Sequence, residues 1–206
     1  LLRLHDNIKW RIPYVVQQIY FLLLEAMFGP VHVLVYIWFI WRGPSGSQRA
    51  FAHHWDIQKI VSLSAFARFA CLMQSHTLQD AMMHTCINYG LGGLYLAFFF
   101  LISHNFDGAV KTGIDSHKGC FVKNQTETSC NVGGWLLCQN NGGLNYQIEH
   151  HLFPRVHHSF YPYLAPVCKK FCDEQGIKYV HYPWIWNNVA STYTHLQKMG
   201  AKPKTE

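Results

Sequence analysis

Twenty-two consecutive residues, Ala81 to Ile102, carry no formal charge, and about 20 such residues are what an α-helix needs to cross a bilayer. Few chains that fold in water hold a run of this kind, so it sets the class: an all-α, helical integral membrane protein is expected. Composition agrees, since 50% of the 206 residues are hydrophobic and 14% are charged, against about 25% charged in soluble domains. A disordered, collagenous or strongly solvated chain is excluded. Gly90, Gly92 and Gly93 lie inside the run, where small residues let a neighbouring backbone approach closely, and this predicts a packed bundle. A second span is expected over 57–75, whose Ser62, Ser64, Ala65, Ala67 and Ala70 make a small-residue face and whose Arg68 can snorkel. The stretch 14–41 is long enough to cross once, but Gln17, Gln18, Glu25 and His32 lie in it and Gly29-Pro30 interrupts it. It is expected to form a re-entrant or interfacial hairpin, because each half is too short to cross alone.

Arg42, Arg49 and Lys59 crowd the loop before the 57–75 span, whereas Ser75 to Asp80 has no Lys or Arg. The positive-inside rule puts the Arg42 loop in the cytosol. Two crossings later, residues 103–206 form a cytosolic C-terminal cap, with Gly133-Gly134, Gly142-Gly143, Pro154, Pro162, Pro166 and Pro183 punctuating short helices. The net charge of +6 is scattered rather than gathered in a groove-sized stripe, so no nucleic-acid partner is expected. The seven cysteines are odd in number and lack paired CxxC spacing, which reads as reduced thiols. No GxGxxG or P-loop pattern is present. Leu1 is not an initiator methionine and no signal peptide follows it, so the chain reads as the interior or C-terminal part of a longer one.

The chain has 14 histidines against 11 acidic residues, and imidazole is both a common metal ligand and a proton carrier near neutral pH. In the string QIEHH, Gln147, His150 and His151 stand at i, i+3 and i+4, one face of a helix, while Glu149 points elsewhere. The alternative is a surface helix that simply carries two histidines. His104, in SHNFDG, ends the strong span at the cytosolic side, either as a site residue or as an interfacial histidine satisfied by headgroups or backbone. His157 and His158 are expected to be cap residues because Pro154 breaks the helix before them. His53-His54 reads as loop. His32, His76, His84, His117, His181 and His195 have no partner at ligand spacing. The aromatic runs Phe98-Phe99-Phe100 and Trp184-Ile185-Trp186 read as core or interfacial belt rather than substrate platform.

SHNFDG, NQTETSCNVGG and NGGLNYQIEHHLFP together resemble the C-terminal half of the membrane front-end fatty acyl desaturases, from Arg3 to about Gly200. The resemblance implies four membrane helices, histidine boxes facing the cytosol, two non-haem irons, and commonly an N-terminal cytochrome b5 domain. It makes QIEHH the third box, with Gln147 where related acyl-CoA desaturases carry a histidine, and makes His104 an additional iron ligand. The metal set so implied is His104, Gln147, His150 and His151, with Gln147, His150 and His151 also carrying the catalytic role. An HxxxH first box and an HxxHH second box are not found, nor is a cytochrome b5 domain. His5-Asp6 begins like the first box, but Lys9 stands at its second histidine, so His5 is given no ligand role. Leu1 is placed just after the second box.

The implied reaction is oxygen-dependent insertion of a double bond into a polyunsaturated fatty acyl chain, between an existing double bond and the carboxyl end. The acyl chain is carried by coenzyme A or a phospholipid, and electrons come from cytochrome b5 and its reductase. The implied location is the endoplasmic reticulum membrane, multi-pass, in contact with membrane lipid. A long-chain-base desaturase of sphingolipids or a fatty acyl hydroxylase would use the same scaffold. A non-catalytic membrane metal-binding protein is the alternative of another class. With these contributors alone, residues 1 to 206 are expected to be inactive and to hold no complete two-iron centre.

Overall fold

The computed structural model describes residues 2–4, 8–42, 55–75, 77–109 and 120–203. His5, His53, His54, His76 and His117 lie outside the described residues. Eight helices are described, and the chain divides into two compact units, residues 22–97 and residues 1–21 with 98–206.

In the first unit run α1 (Gln17–Arg42), α2 (Trp55–Ser75) and α3 (Leu78–His104), of which α1 and α3 also contribute residues to the second unit. Helix α3 contains the expected 81–102 span. Among the described residues it is the one helix long and apolar enough to cross a membrane. Helix α2 forms over the second expected span, with Asp56, Lys59 and Arg68 in it and Arg68 donating to Asn88 Oδ1 at 3.2 Å. The hairpin expected over 14–41 is not what forms: a short 3-10 turn over Ile12–Val16 leads into α1, which runs unbroken through Gly29 and Pro30. The reason lies in packing. A Cβ on Gly29 would sit 1.9 Å from the Tyr89 carbonyl oxygen and 2.8 Å from Gly93 Cα, so Gly29 is where two helix backbones touch rather than where one stops. Pro30 removes one N–H, and neighbouring helices make such a loss tolerable in an apolar bundle. Gly93 thus has the close-approach role expected of it, while Gly90 and Gly92 face open space.

The second unit builds the cap. The unit holds helices α4 (Phe121–Glu127), α5 (Trp135–Asn141), α6 (Gln147–Leu152), α7 (Tyr161–Glu174) and α8 (Ile185–Gly200) and a two-stranded parallel sheet. Its strands, β1 (Asn131–Val132) and β2 (His181–Tyr182), pair Asn131 with His181 and Val132 with Tyr182. Phe99, Ile102 and Val132 form one buried cluster, flanked by Leu137, Leu144, Tyr182, Ile185 and Val189. Cys138, Tyr146, Tyr161 and Ala165 form another. All seven cysteines are free thiols.

The N-terminal segment is stapled to α8 by polar contacts. Gln17, which reads in sequence as a polar intruder in an apolar span, is fully buried. It donates to the Leu196 carbonyl at 2.8 Å and accepts from the Arg3 backbone at 2.7 Å. Arg3 reaches the Met199 carbonyl at 2.7 Å. Trp10 reaches the Gly200 carbonyl at 2.9 Å.

The glycine contact is testable. Gly29→Val forces side-chain atoms into the Tyr89 backbone, and overpacking of this kind costs about 1–3 kcal/mol. The variant is expected to lower the thermal midpoint of the purified membrane protein, while Gly92→Val leaves it in place. An equal midpoint in both variants would show that the helices do not meet at Gly29.

Candidate active site

Four residues singled out in the sequence come from two elements of the cap unit. His104 is the last residue of α3, and Gln147, His150 and His151 share one face of α6, as their spacing predicts. The rings of His104 and His151 stack with centroids 5.0 Å apart and an interplanar angle of 24°. Gln147 Nε2 lies 3.0 Å from His151 Nε2. His150 is more exposed, 5.9 Å from His151 and 6.4 Å from Tyr161 between ring centroids.

Helix α4 and its C-cap residue Thr128 supply the backbone behind these rings. His104 Nδ1 faces the Thr128 carbonyl at 3.3 Å. A carbonyl only accepts, so in the neutral ring Nδ1 carries the proton and Nε2 keeps its lone pair, the arrangement usual in metal-binding histidines. The Gln125 carbonyl plays a weaker version of the same part for His151. It favours the protonated ring, though Nδ1 has no hydrogen bond of full geometry. Burial, followed by the nearby rings of His104 and His150, pushes the His151 pKa down to about 4, so the ring is neutral near pH 7. Two of these imidazoles are thereby prepared to act as neutral donors.

Glu149 lies on the other side of α6. It is fully buried and accepts from Asn131 Nδ2 at 2.6 Å and from the Tyr179 hydroxyl at 2.9 Å. Burial pushes its carboxyl above the usual range, and the Asn131 and Tyr179 hydrogen bonds oppose that. Asn131 and Tyr179 were not singled out in the sequence. The signal available was Glu149 itself, an acid on a short helix whose opposite face carries the histidines.

His157, His158 and His181 stand outside this group. Helix α6 ends at Leu152, and the 3-10 turn His158–Phe160 is capped by His157, whose Nδ1 accepts from the Ser159 backbone at 3.4 Å. His181 Nε2 bonds the Gly133 carbonyl at 2.7 Å. An apolar cleft of about 370 Å³ opens between α4, α6 and α7, lined by Phe121, Val122, Leu152, Phe153, Val167 and Phe171 with Cys168 and Cys172. Neither aromatic run noted in the sequence lines it. Phe99 is core, and Trp184 and Trp186 are exposed.

The fatty acid desaturase family profile matches residues 4–183, and the chain belongs to that family. It is 40% identical to the acyl-lipid (7-3)-desaturase of Rebecca salina and 40% identical to the acyl-lipid (7-3)-desaturase of Diacronema lutheri, over all of this chain and 48% of each relative. It is 37% identical to the acyl-lipid (8-3)-desaturase of Physcomitrium patens over 52% of this chain and 23% of that protein. The chain therefore spans about half the length of the first two relatives. No solved structure matches.

This family is generally di-iron, and the donor set fits iron in chemistry. His104 and His151 are backed by carbonyls, and Gln147 Oε1 and His151 Nδ1 are buried without a full hydrogen bond. Imidazole suits iron as a ligand. Among the described residues, however, no three His, Cys, Asp or Glu side chains are grouped to hold a metal ion. The residues fit as a contribution to a centre, not as a closed one.

The 3.0 Å contact of Gln147 with His151 Nε2 makes a direct test. Gln147→Ala is expected to remove product from the full-length desaturase while most of its iron stays, because an amide binds iron weakly but orients a ligand or a bound water well. Gln147→His is expected to keep iron and lose most turnover. Full activity in the alanine variant, with iron measured per folded protein, would remove Gln147 from the site.

Proposed function

We propose that the chain is the part of a front-end fatty acyl desaturase that carries the third histidine box, with His104, Gln147, His150 and His151 as its contribution to a two-iron centre on the cytosolic side of the endoplasmic reticulum membrane. The observation that carries the reading is the stacking of His104 on His151, with Gln147 against the same ring nitrogen. These groups lie 47 positions apart in sequence at their extremes, so nothing local brings them together. Two irons held there would supply the oxygen chemistry: one O2, two electrons from cytochrome b5 and its reductase and two protons would take two hydrogens from adjacent methylenes, leaving a double bond and two waters.

The chain's own residues supply position and environment. The Thr128 carbonyl sets the His104 tautomer and leaves its Nε2 lone pair for metal, while His151 Nε2 faces the Gln147 amide at 3.0 Å and would take metal only as that contact opens. Gln147 orients His151 or a water held near it. Leu152, next in sequence to His151, is part of the apolar cleft, so a fatty acyl chain lying there would be held within reach of the imidazoles and away from water. The acyl group enters as a coenzyme A or phospholipid ester. In this reading α3 crosses the membrane, α2 serves as its partner span with Asp56, Lys59 and Arg68 in it, and α4 to α8 form the cytosolic cap.

The reading is tested by expression of the full-length protein in a yeast that lacks polyunsaturated fatty acids, with the new double bond located by mass spectrometry. His150→Ala and His151→Ala are each expected to lower product by more than about 100-fold, beyond the usual effect of an outer-shell change. His157→Ala and His158→Ala, beyond the end of α6, are expected to keep substantial activity at equal protein abundance. Hydroxylated or sphingolipid products would move the assignment to a hydroxylase or a long-chain-base desaturase. An iron-free protein without product would end the enzymatic reading.

Sidedness has its own check. Asn124-Gln125-Thr126 matches a glycosylation acceptor, yet it lies on α4 with Thr126 fully buried, and a cytosolic cap never meets the glycosylation machinery. Asn124 is expected to be unmodified in cells. A glycan at this position, seen as a mass shift removed by glycosidase, would invert the topology.

A further inference from the structure

We propose that Asn131, Glu149 and Tyr179 form a clamp that sets the placement of His150 and His151 against His104, acting as positioning residues of the site; this rests on the desaturase reading above. Helix α6 has six residues, and its own N-cap residue, Tyr146, makes no side-chain capping bond. An isolated helix needs roughly 12–15 residues to hold in water, so its orientation must come from outside itself. The histidine face offers only a weak hold, since His150 is exposed and His151 meets Gln147 of its own helix, other rings and the Gln125 carbonyl without a hydrogen bond of full geometry.

The hold is on the opposite face. Asn131 uses its whole side-chain amide on α6 and Tyr179: Oδ1 accepts from the Ile148 backbone at 3.0 Å, and Nδ2 donates to Glu149 Oε2 at 2.6 Å and to the Tyr179 hydroxyl at 2.7 Å. Tyr179 closes the triangle by donating to Glu149 Oε1 at 2.9 Å. Asn131 and Glu149 are fully buried. The residue before Asn131 ties the other ligand-bearing element: Cys130 N donates to the Ser103 carbonyl at 3.0 Å, one residue before His104. A single dipeptide, Cys130-Asn131, therefore grips the end of α3 and the first turn of α6. Rotating α6 by one residue, about 100°, would break the triangle and turn the imidazoles away.

Simple filling of the core does not account for this arrangement. An apolar side chain of similar volume holds a buried position at least as well as a buried acid does. What the carboxyl adds is direction, because it accepts from two donors at fixed places and leaves α6 one orientation.

The test uses the full-length desaturase, purified with its iron. Four quantities are read: iron per folded protein, kcat, KM, and amide hydrogen exchange in the peptide containing Ile148. Asn131→Ala and Glu149→Leu are expected to speed exchange in that peptide alone and to weaken iron retention by about 10- to 100-fold, the usual scale for groups that orient metal ligands. Glu149→Gln keeps the volume and one acceptor, and is expected to recover most of the iron that Glu149→Leu loses. Should Asn131→Ala misfold, Tyr179→Phe removes one hydroxyl and no volume. It is expected to lower kcat several-fold with KM unchanged and to speed exchange at Ile148. Parental iron, kcat and exchange in Tyr179→Phe, or Glu149→Leu equal to Glu149→Gln, would overturn the clamp. If the unaltered protein shows neither iron nor desaturated product, it is the desaturase reading that fails, while exchange at Ile148 still reports whether the clamp holds α6.

Discussion

A carboxyl group can be taken out of water only where donors meet its oxygens, and much of the cap follows from meeting that condition at Glu149. Asn131 must reach it from one side and Tyr179 from the other. The two-residue strands β1 and β2 join those two segments in parallel, with Asn131 N donating to the Val180 carbonyl at 3.0 Å. A sheet this short contributes little by itself. Its value is in register, since a slip of one residue would send the Asn131 side chain to the other face. Once Glu149 is held, His150 and His151 leave the helix in a set direction, and their neighbours need only support them.

The two units solve different packing problems. Around Gly29, Tyr89 and Gly93 the contact is backbone against backbone, with side chains removed so that helices can approach. In the cap, α4, α5 and α6 have no side-chain bond from their N-cap residues, and buried polar side chains stand among the elements: Gln17, Asn131, Asn145 and Asn188 are all fully buried. Asn145 shows the same habit as Asn131, donating to the Val132 and Gly134 carbonyls at 2.8 and 3.2 Å. Backbone groups that these short elements cannot pair among themselves are paired by side-chain amides instead.

Much of this was legible in the sequence. The uncharged run Ala81 to Ile102 forecast α3, and the i, i+3, i+4 spacing of Gln147, His150 and His151 forecast one helical face. Pro154 forecast the break that separates His157 and His158 from it. Two features misled for physical reasons. Gly29-Pro30 resembles a turn when judged by local propensity, but the backbone of α3 rewards a missing Cβ there, and α1 continues. Gln17 resembles an interruption of an apolar span because its partners, Arg3 and Leu196, are invisible to periodicity. The clamp was out of reach for the same reason: its bond between Asn131 and Tyr179 spans 48 residues, and no local pattern marks a long-range hydrogen bond.

The order of the clamp along the chain has a consequence for synthesis. Tyr179 lies 30 residues beyond the carboxyl it holds, so both histidines of α6 are made before the segment that orients them. Loops of this length close after local helices have formed. During translation α6 accordingly passes through an interval in which its histidines are present and the Tyr179 bond is not. Pairing of β2 with β1 ends that interval.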